Sequence, residues 1–592
     1  MRRCGKIKKD KIKRADGGYS AAVLRKRLTA VLIAAAFLFL VIFARFFWIQ
    51  VIRGEELRYK AIDQWTREIP VVAERGRILD RNGALLAGNV TSYTVFVRPN
   101  AVKDKRETAR VLAEIFSLDE DELYRDLASS KVSELTVVRR ADSSLMEKLS
   151  EYDLPGVYYS RDNTRTYPYG DLLCQVLGFT SIDSEGLTGL EKYYDKYLAG
   201  IDGEILYDTD LVGVEIEEGG AAYLPATDGL DLVLTVDKDI QVIAEEAMAD
   251  AYATYSPVSA QCVVLDPSNF EVLAMVNYPG YDLNDVPRED ADILNSLTRN
   301  RLVSDIYEPG STFKIVTAAA NIEEYLQGNA SAFSPGRIFN SSRTRTVDGT
   351  TIRCWSNHAN GKHSNQTLAE ALNNSCNPCF VDIALSLGKQ TFYDYLEAFG
   401  FGKNTGIDFS GESQGMLIPE SAVRDCDLAR IGFGQSLAVS ALQLACAGAA
   451  AVNGGYYYQP GLVKSVQSKD GEVKEEFGAT LKNRTVSEEA SRALAALLEG
   501  VVESGSGNKA YIEGYKVGGK TGTAQKYENG VIASGKYVSS FLGFFPADDP
   551  KYLALVIVDE PQGAYYGSVV AAPYAKRVFE GIIEVRGISP YE

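Results

Sequence analysis

Three short motifs in the second half of the 592-residue chain carry the side chains that acyl transfer requires. A serine can attack a carbonyl when a nearby amine accepts its proton, and further polar groups can relay protons and bind an anionic substrate. The ordered set predicts a serine acyl-transfer enzyme, although each motif alone is common in a chain of this length. In chain order the motifs are Ser311-Thr312-Phe313-Lys314, Ser375-Cys376-Asn377 and Lys520-Thr521-Gly522-Thr523.

The first motif follows Pro309-Gly310 and precedes a helical pattern over residues 312–325. Proline is favoured at helix starts, so we expect Ser311 at the N-terminus, where free N–H groups and the helix dipole stabilise negative charge. Lys314 lies one turn along the same face and can reach the Ser311 hydroxyl. An amine acts as a base only when its pKa falls, and we expect burial and the charge of Lys520 to lower it.

The second motif is predicted to form a loop between a short helix over residues 367–372 and Pro378. In this loop, Ser375 can carry a proton between Lys314 and a leaving group. Asn377 can donate a hydrogen bond to a substrate amide carbonyl. We therefore assign both residues to the catalytic set.

The third motif has the pattern of a strand whose glycines let a ligand approach the backbone. Lys520 and the hydroxyl groups of Thr521 and Thr523 can hold a substrate carboxylate. The segment Thr521, Gly522 and Thr523 is therefore the predicted substrate-binding edge. The N–H group of Thr523, together with that of Ser311, is predicted to form an oxyanion hole.

Two other catalytic patterns occur in the chain, but their surroundings disfavour them. Residues 411–415 match the G-x-S-x-G pattern of serine hydrolases, but no helix follows and both histidines precede it. Residues 514–521 match a phosphate-binding loop, which needs a helix directly after its Lys-Thr pair. Strand-like residues follow here instead.

Three cysteines and both histidines of the chain lie near the second motif, namely Cys354, His358, His363, Cys376 and Cys379. Three interpretations remain open: buried thiols that act as small apolar side chains, a disulfide from Cys354 to Cys376 or Cys379, and a zinc site. The zinc site is the least favoured, because an ion on Cys376 would block the relay between Ser375 and Asn377. We predict no metal and no cofactor.

The formal net charge of −17 is unevenly distributed. Residues 1–27 carry a net +9 and the remainder −26, and so acidic a body predicts no nucleic-acid partner. The apolar run over 28–52 is long enough to cross a lipid bilayer. We favour an uncleaved anchor over a signal peptide, because the small residues Ala34, Ala35 and Ala36 lie inside the run. The basic tail over 1–27 is expected in the cytoplasm and the bulk of the chain outside it.

The elements that position the motifs predict an α+β fold. Asn82-Gly83 predicts a hairpin, and Asp237 is expected to cap a helix that runs to Tyr255. Two further hairpins, 262–276 and 538–558, flank a helix-rich region, and a helix over 573–585 ends the chain. This order predicts an antiparallel sheet built from both ends of one domain. The polar stretch 340–365 is predicted to be a long loop.

Together the motifs resemble those of class B (monofunctional) penicillin-binding proteins, which are peptidoglycan D,D-transpeptidases. The resemblance also includes the segments Arg75–Gly83, Gly189–Lys192 and Gly432-Phe433-Gly434-Gln435. It implies a single transmembrane anchor over 28–52, an elongated pedestal or dimerisation domain over 54–256, and a transpeptidase domain over 257–588. In that domain a central antiparallel sheet lies between helical regions.

The resemblance also implies a substrate and partners. Ser311 would attack the penultimate D-Ala of a peptidoglycan stem peptide ending in D-Ala-D-Ala, release the last D-Ala and pass the acyl group to a neighbouring amine. β-Lactams would acylate the same serine. The expected setting is the bacterial cell membrane, with a membrane glycan polymerase as partner in division, elongation or sporulation. Two alternatives remain: a penicillin-binding scaffold or sensor, and a D,D-carboxypeptidase or β-lactamase, although the long pedestal argues against a small hydrolase.

Overall fold

The structure is a computed structural model that describes residues 21–57, 66–208, 221–358, 363 and 365–591, apart from positions 131, 133, 341, 529 and 530. Most of the predicted basic tail, residues 1–20, lies outside the described residues. The described chain divides into two compact units. One unit comprises residues up to Val71 together with Gly203–Pro225, and the other comprises Val72–Asp202 and Ala226–Glu592.

The strands of both units are numbered in chain order. They are β1 Thr66–Val71, β2 Ile78–Leu79, β3 Leu85–Val97, β4 Leu135–Asp142, β5 Val157–Thr166, β6 Gly203–Asp208, β7 Ala221–Leu224, β8 Asp231–Leu234, β9 Ser259–Leu265, β10 Val272–Tyr278, β11 Ile306–Tyr307, β12 Thr344–Val347, β13 Thr350–Arg353, β14 Val439–Ser440, β15 Tyr456–Tyr458, β16 Val463–Gln467, β17 Val473–Glu476, β18 Leu481–Arg484, β19 Gly518–Glu528, β20 Val531–Phe545 and β21 Tyr552–Asp559.

The α-helices are referred to by their residues. They are Ala21–Phe47, Lys105–Phe116, Glu120–Ser129, Ser143–Ser150, Cys174–Leu177, Gly189–Tyr193, Asp195–Leu198, Lys238–Tyr255, Ala291–Thr298, Arg301–Ser304, Lys314–Leu326, Leu368–Asn373, Asn377–Leu387, Lys389–Ala398, Asp425–Ile431, Ala441–Val452, Glu488–Glu503, Gly567–Val570 and Ala572–Arg586.

The first unit contains an apolar helix and a small sheet. The helix Ala21–Phe47 continues into a π-helical turn, Trp48–Ile52, and its large apolar side chains are exposed. Among the described residues, this segment is the one helix long and apolar enough to cross a membrane. The helix begins before Leu28, where the apolar run was predicted to start. Arg25, Lys26 and Arg27 are part of it, because long basic side chains can extend away from a helix end without interrupting its backbone hydrogen bonds. The sheet has the order β1-β6-β7.

A five-stranded antiparallel sheet with the order β10-β9-β21-β20-β19 forms the centre of the second unit, which confirms the two predicted hairpins. Side chains along a strand alternate between the two faces of a sheet. Accordingly Leu553 and Leu555 belong to one buried core, whereas Ala554 and Val556 belong to another, with side chains of the helices Lys238–Tyr255 and Ala572–Arg586. Both faces are covered, and β19 is left at one edge.

A second sheet of this unit has the order β17-β16-β8-β2-β3-β4, and β5 also pairs with β3. The hairpin predicted at Asn82-Gly83 joins β2 to β3, and Gly83 has the positive φ (+89°) that such a turn requires. Strand β8 pairs antiparallel with β16, with Asp231 opposite Gln467. Strands from late in the chain therefore complete a sheet that begins near residue 78.

A buried ionic cluster stabilises the region around this sheet. Glu191 has no exposed side-chain area, and its carboxylate accepts hydrogen bonds at 2.7 Å from both Arg75 Nε and Arg165 Nε. The Arg75 and Arg165 side chains are also almost fully buried. Tyr167 donates to the same carboxylate at 3.3 Å. Such a cluster depends on every charge retaining its partner.

The prediction of an unbroken loop over 340–365 was wrong. Strands β12 and β13 form a hairpin, with Thr344 opposite Arg353. Its turn is Asp348-Gly349, and both residues have positive φ, 48° and 74°. Asp-Gly is a strong two-residue hairpin signal, but here it lies between polar strands rather than the usual apolar ones.

Candidate active site

The first motif lies where a 3-10 turn, Gly310–Phe313, continues into the helix Lys314–Leu326. Lys314 Nζ donates to Ser311 Oγ at 3.0 Å. The helix lies in the core of the second unit, and the side chain of Lys314 is fully buried. The structure therefore places an amine on the hydroxyl that the sequence predicts to be nucleophilic.

The second motif contacts the same lysine from the opposite side. Lys314 Nζ donates to Ser375 Oγ at 3.1 Å, to the Ser375 carbonyl oxygen at 2.8 Å and to Asn377 Oδ1 at 2.7 Å. Ser375 has a left-handed backbone, with φ 53°, and Asn377 begins the helix Asn377–Leu387. The predicted loop thus ends one residue before Pro378, which occupies the first turn of that helix, a position where proline is favoured.

Lys520 on β19 also contacts the second motif. Its Nζ donates to Ser375 Oγ at 3.0 Å, so the Ser375 hydroxyl lies between two ammonium-bearing side chains. The motif predicted that Lys520 would hold a substrate carboxylate. In the structure its side chain is fully buried, and Nζ points at Ser375 rather than into the open cleft.

Burial lowers the pKa of both lysines, and repulsion from Lys314 lowers that of Lys520 further. Burial lowers the pKa of Lys314 to about 8. Burial, with the nearby charge of Lys314, holds the pKa of Lys520 well below its usual value. Two adjacent buried ammonium groups repel each other, so the pair favours a state in which one amine is neutral. A neutral Lys314 can accept the Ser311 proton.

We expect acylation of Ser311 by benzylpenicillin to accelerate as the pH rises across roughly 6 to 9, with its midpoint near the lowered Lys314 pKa of about 8. The neutral amine is the base, and its fraction grows as the pH passes upward through that pKa. The second-order rate constant for adduct formation, followed by mass spectrometry, measures this dependence. A rate that stays flat or falls with rising pH would exclude the base role.

Ser311, Ser375 and Asn377 open onto a cleft of about 500 Å³. Thr521 and Thr523 of β19 line its other side, whereas Gly522 packs inward, where an added Cβ would lie 2.4 Å from Ser540 Oγ. Several further lining residues were not assigned to the site from the sequence, and they come from separated helices, loops and strands: Trp355, Arg430, Gln435, Ser506, Gln525, Tyr565 and Tyr566. Of these, only Gln435 belongs to a segment singled out beforehand.

Two glycines fix the turn that carries the nucleophile. Gly310 N–H donates to the Gly434 carbonyl at 2.9 Å, and both residues have positive φ. A Cβ on Gly434 would lie 2.0 Å from the Gly310 carbonyl oxygen. The segment Gly432–Gln435 therefore buttresses the Ser311 turn.

Gly434→Ala is expected to slow acylation by roughly 100-fold, because the clash displaces the Ser311 turn. The matched control is Gly328→Ala, since Gly328 also has a positive φ (+80°) but has no atom within 4 Å of its added Cβ. The control reports backbone strain alone. Equal acylation rates in the two variants would contradict the buttress role.

Comparison with known proteins identifies the family. The model of the penicillin-binding protein transpeptidase domain matches residues 260–580, and that of the penicillin-binding protein dimerisation domain matches residues 70–234. Stage V sporulation protein D of Bacillus subtilis is 38% identical over 575 residues, which cover 96% of this chain and 87% of that protein. The chain belongs to the class B penicillin-binding proteins.

Two further relatives of this class B penicillin-binding protein agree with the assignment. The peptidoglycan D,D-transpeptidase FtsI of Escherichia coli K12 is 29% identical and covers 95% of this chain and 91% of its own. A crystal structure of penicillin-binding protein 3 of Mycobacterium tuberculosis, complexed with aztreonam, matches with a TM-score of 0.68 and 26% identity. That match covers 88% of this chain and 98% of the other.

Proposed function

We propose that the chain is a peptidoglycan D,D-transpeptidase that works through a Ser311 acyl-enzyme. The observation that carries the proposal is the buried Lys314 amine, which contacts both Ser311 Oγ and Ser375 Oγ. This geometry connects the attacking hydroxyl to a second hydroxyl through one base. Family membership and the names of the relatives support the same reaction.

In the proposed acylation step, neutral Lys314 accepts the Ser311 proton as Oγ attacks the penultimate D-Ala carbonyl. The proton then passes through Ser375 to the nitrogen of the departing D-Ala, and the C–N bond breaks. An acceptor amine from a second stem peptide attacks the ester and loses a proton to the same lysine. The bond from the carbonyl carbon to Oγ breaks, and the lysine returns the proton to Ser311 Oγ. Because Lys314 is the base in both acylation and transfer to the acceptor amine, the enzyme returns to its starting protonation state.

The proposed substrate contacts lie along β19. The hydroxyls of Thr521 and Thr523 take the terminal carboxylate, and Lys520 donates a hydrogen bond to the Ser375 hydroxyl from behind it. The N–H groups of Ser311 and Thr523 are proposed as the oxyanion hole. In support, the position of a Cβ on Gly310 is 3.3 Å from the Thr523 carbonyl oxygen, so the nucleophile turn and β19 lie in contact.

We propose that β-lactams acylate Ser311, because the lactam carbonyl would occupy the position of the penultimate D-Ala carbonyl. Attack by Oγ forms an ester and breaks the lactam C–N bond, and the ring nitrogen takes the proton. We also propose that the helix Ala21–Phe47 anchors the chain in the cell membrane with residues 1–27 in the cytoplasm, following the positive-inside rule. A pedestal over 54–256 and a transpeptidase domain over 257–588 would lie outside. The anchor and pedestal are the proposed contacts for a membrane glycan polymerase.

The test uses the full chain in detergent with a synthetic stem pentapeptide ending in D-Ala-D-Ala and a second, amine-bearing stem as acceptor. We expect release of one D-Ala for each cross-linked dimer. Tetrapeptide without dimer would replace the proposal by a carboxypeptidase. No D-Ala release, with benzylpenicillin still bound covalently, would indicate a binding scaffold or sensor.

A further inference from the structure

Two cysteines and two histidines meet beside the second motif. The candidate ligand atoms of Cys354, His358, His363 and Cys376 all lie within 4.8 Å of one another. Both cysteines and His363 are buried, and His358 is partly exposed. The proposed reaction uses none of these four side chains.

The distances between these atoms fit a tetrahedral ion. Cys354 Sγ lies 3.9 Å from Cys376 Sγ and 3.7 Å from His363 Nδ1, and Cys376 Sγ lies 3.9 Å from His358 Nε2. Zinc bonds of about 2.3 Å to sulfur and about 2.0 Å to nitrogen place tetrahedral sulfur pairs about 3.8 Å apart and sulfur–nitrogen pairs about 3.6 Å apart. These three spacings need shifts of only a few tenths of an ångström, and the remaining pairs, all within 4.8 Å, would have to close further around the ion.

The sequence argument against a metal does not hold in the fold. An ion on Cys376 was expected to block the relay between Ser375 and Asn377. The side chains of Ser375 and Asn377 both reach Lys314 Nζ, whereas Cys376 Sγ contacts Cys354 and His358. Among the described contacts of Lys314 Nζ, those from the second motif come from Ser375 and Asn377 and not from the Cys376 thiol.

The four residues come from two segments that meet at the cleft. Three follow β13, and Cys376 is the cap of the helix Asn377–Leu387. Besides the sulfur contacts, two hydrogen bonds join these segments at the motif. Trp355 Nε1 donates to the Asn374 carbonyl oxygen at 3.1 Å, and Asn377 Nδ2 donates to the Arg353 carbonyl oxygen at 3.4 Å. A zinc ion bound by both segments would hold them together more strongly than these hydrogen bonds do.

We propose that Cys354, His358, His363 and Cys376 form a structural zinc site that holds the second motif in its catalytic position. Four protein ligands leave no open coordination position, as in other structural zinc sites, so the ion takes no part in the acyl transfer itself. Both thiols bind as thiolates and release their protons on metal binding.

The first test measures metal in the full chain, purified in detergent without chelator and then dialysed against zinc. We expect about one zinc per chain in the wild type and in Cys426→Ala, which removes a buried thiol outside the cluster, and a loss of that zinc in Cys376→Ser and His363→Gln. A wild type that takes up no zinc, or ligand variants that retain it, would overturn the proposal.

A second test works on the wild type alone and so does not depend on the folding of variants. Cobalt in place of zinc is expected to give the intense visible absorption of a tetrahedral ion with thiolate ligands. An intact mass lower by two hydrogens and restored by reductant, with the bond mapped to Cys354 by peptide analysis, would show a disulfide instead. Ready alkylation of both thiols with no effect of zinc would show ordinary buried cysteines. Either result would refute the site.

The effect on the motif is tested by benzylpenicillin acylation before and after chelation. We expect the zinc-free chain to acylate more slowly and to recover when zinc is restored. Unchanged acylation in a chain shown to have lost its zinc would refute the positioning role.

Discussion

Ser311→Ala is expected to abolish covalent capture of benzylpenicillin, with the acylation rate falling by roughly 10⁶-fold, the loss seen when a serine protease loses its nucleophile. The reason is that Ser311 Oγ both contacts the Lys314 amine and lies just before the helix Lys314–Leu326, whereas Ser375 Oγ, which also contacts that amine, precedes a different helix. Intact mass spectrometry of the full chain in detergent, mixed with benzylpenicillin, measures the adduct directly.

Ser504→Ala is the matched control, because Ser504 is exposed and lies two positions from the cleft residue Ser506. It should retain full acylation. An adduct of undiminished yield on Ser311→Ala would mean that another residue is the nucleophile, and peptide mapping of that adduct would identify it.

Glu191→Ala is expected to destabilise the second unit by about 3–5 kcal/mol, because it leaves two buried guanidinium groups without their shared carboxylate. Arg75 and Arg165 each lose a 2.7 Å hydrogen bond to Glu191, and neither side chain is exposed enough for water to replace it. Denaturant unfolding followed by circular dichroism gives the change in the free energy of unfolding.

Glu185→Ala provides the comparison, since Glu185 lies in the same region but its side chain is exposed. We expect a change within about 0.5 kcal/mol there. Should Glu191→Ala be equally mild, water and Asp195, which pairs with Arg75 at 2.8 Å, would have to satisfy the two arginines, and the stabilising role assigned to the Glu191 carboxylate would be wrong.

Local patterns predicted the elements that carry the site. The spacing of Ser311 and Lys314 predicts that they lie one helical turn apart on the same face, and in the structure Lys314 Nζ lies 3.0 Å from Ser311 Oγ. The helix Lys238–Tyr255 is capped by Asp237, as predicted, and the central hairpins are antiparallel. Each of these features depends on neighbours in the chain, so single-sequence reasoning can reach it.

Features that depend on distant residues were not predictable in the same way. The contact of Lys520 Nζ with Ser375 Oγ depends on the register between β19 and β20, and Ser375 is 145 residues away in the sequence. The position of Cys376 Sγ beside Cys354 and His358 depends on the positive φ of Ser375, a conformation that serine rarely adopts. Cleft residues such as Ser506 belong to no motif, and only the assembled fold brings them to the site.

The pairing of β8 with β16 has a consequence for attempts to study the catalytic half by itself. A fragment that starts at residue 257 would keep β16 and β17 but lose β8, whose backbone groups from Asp231 to Leu234 pair with β16. The orphaned edge would expose unpaired N–H and C=O groups, which invite other chains to add strands. Such a fragment should aggregate, whereas one that begins ahead of β2 would carry its whole sheet and remain monodisperse.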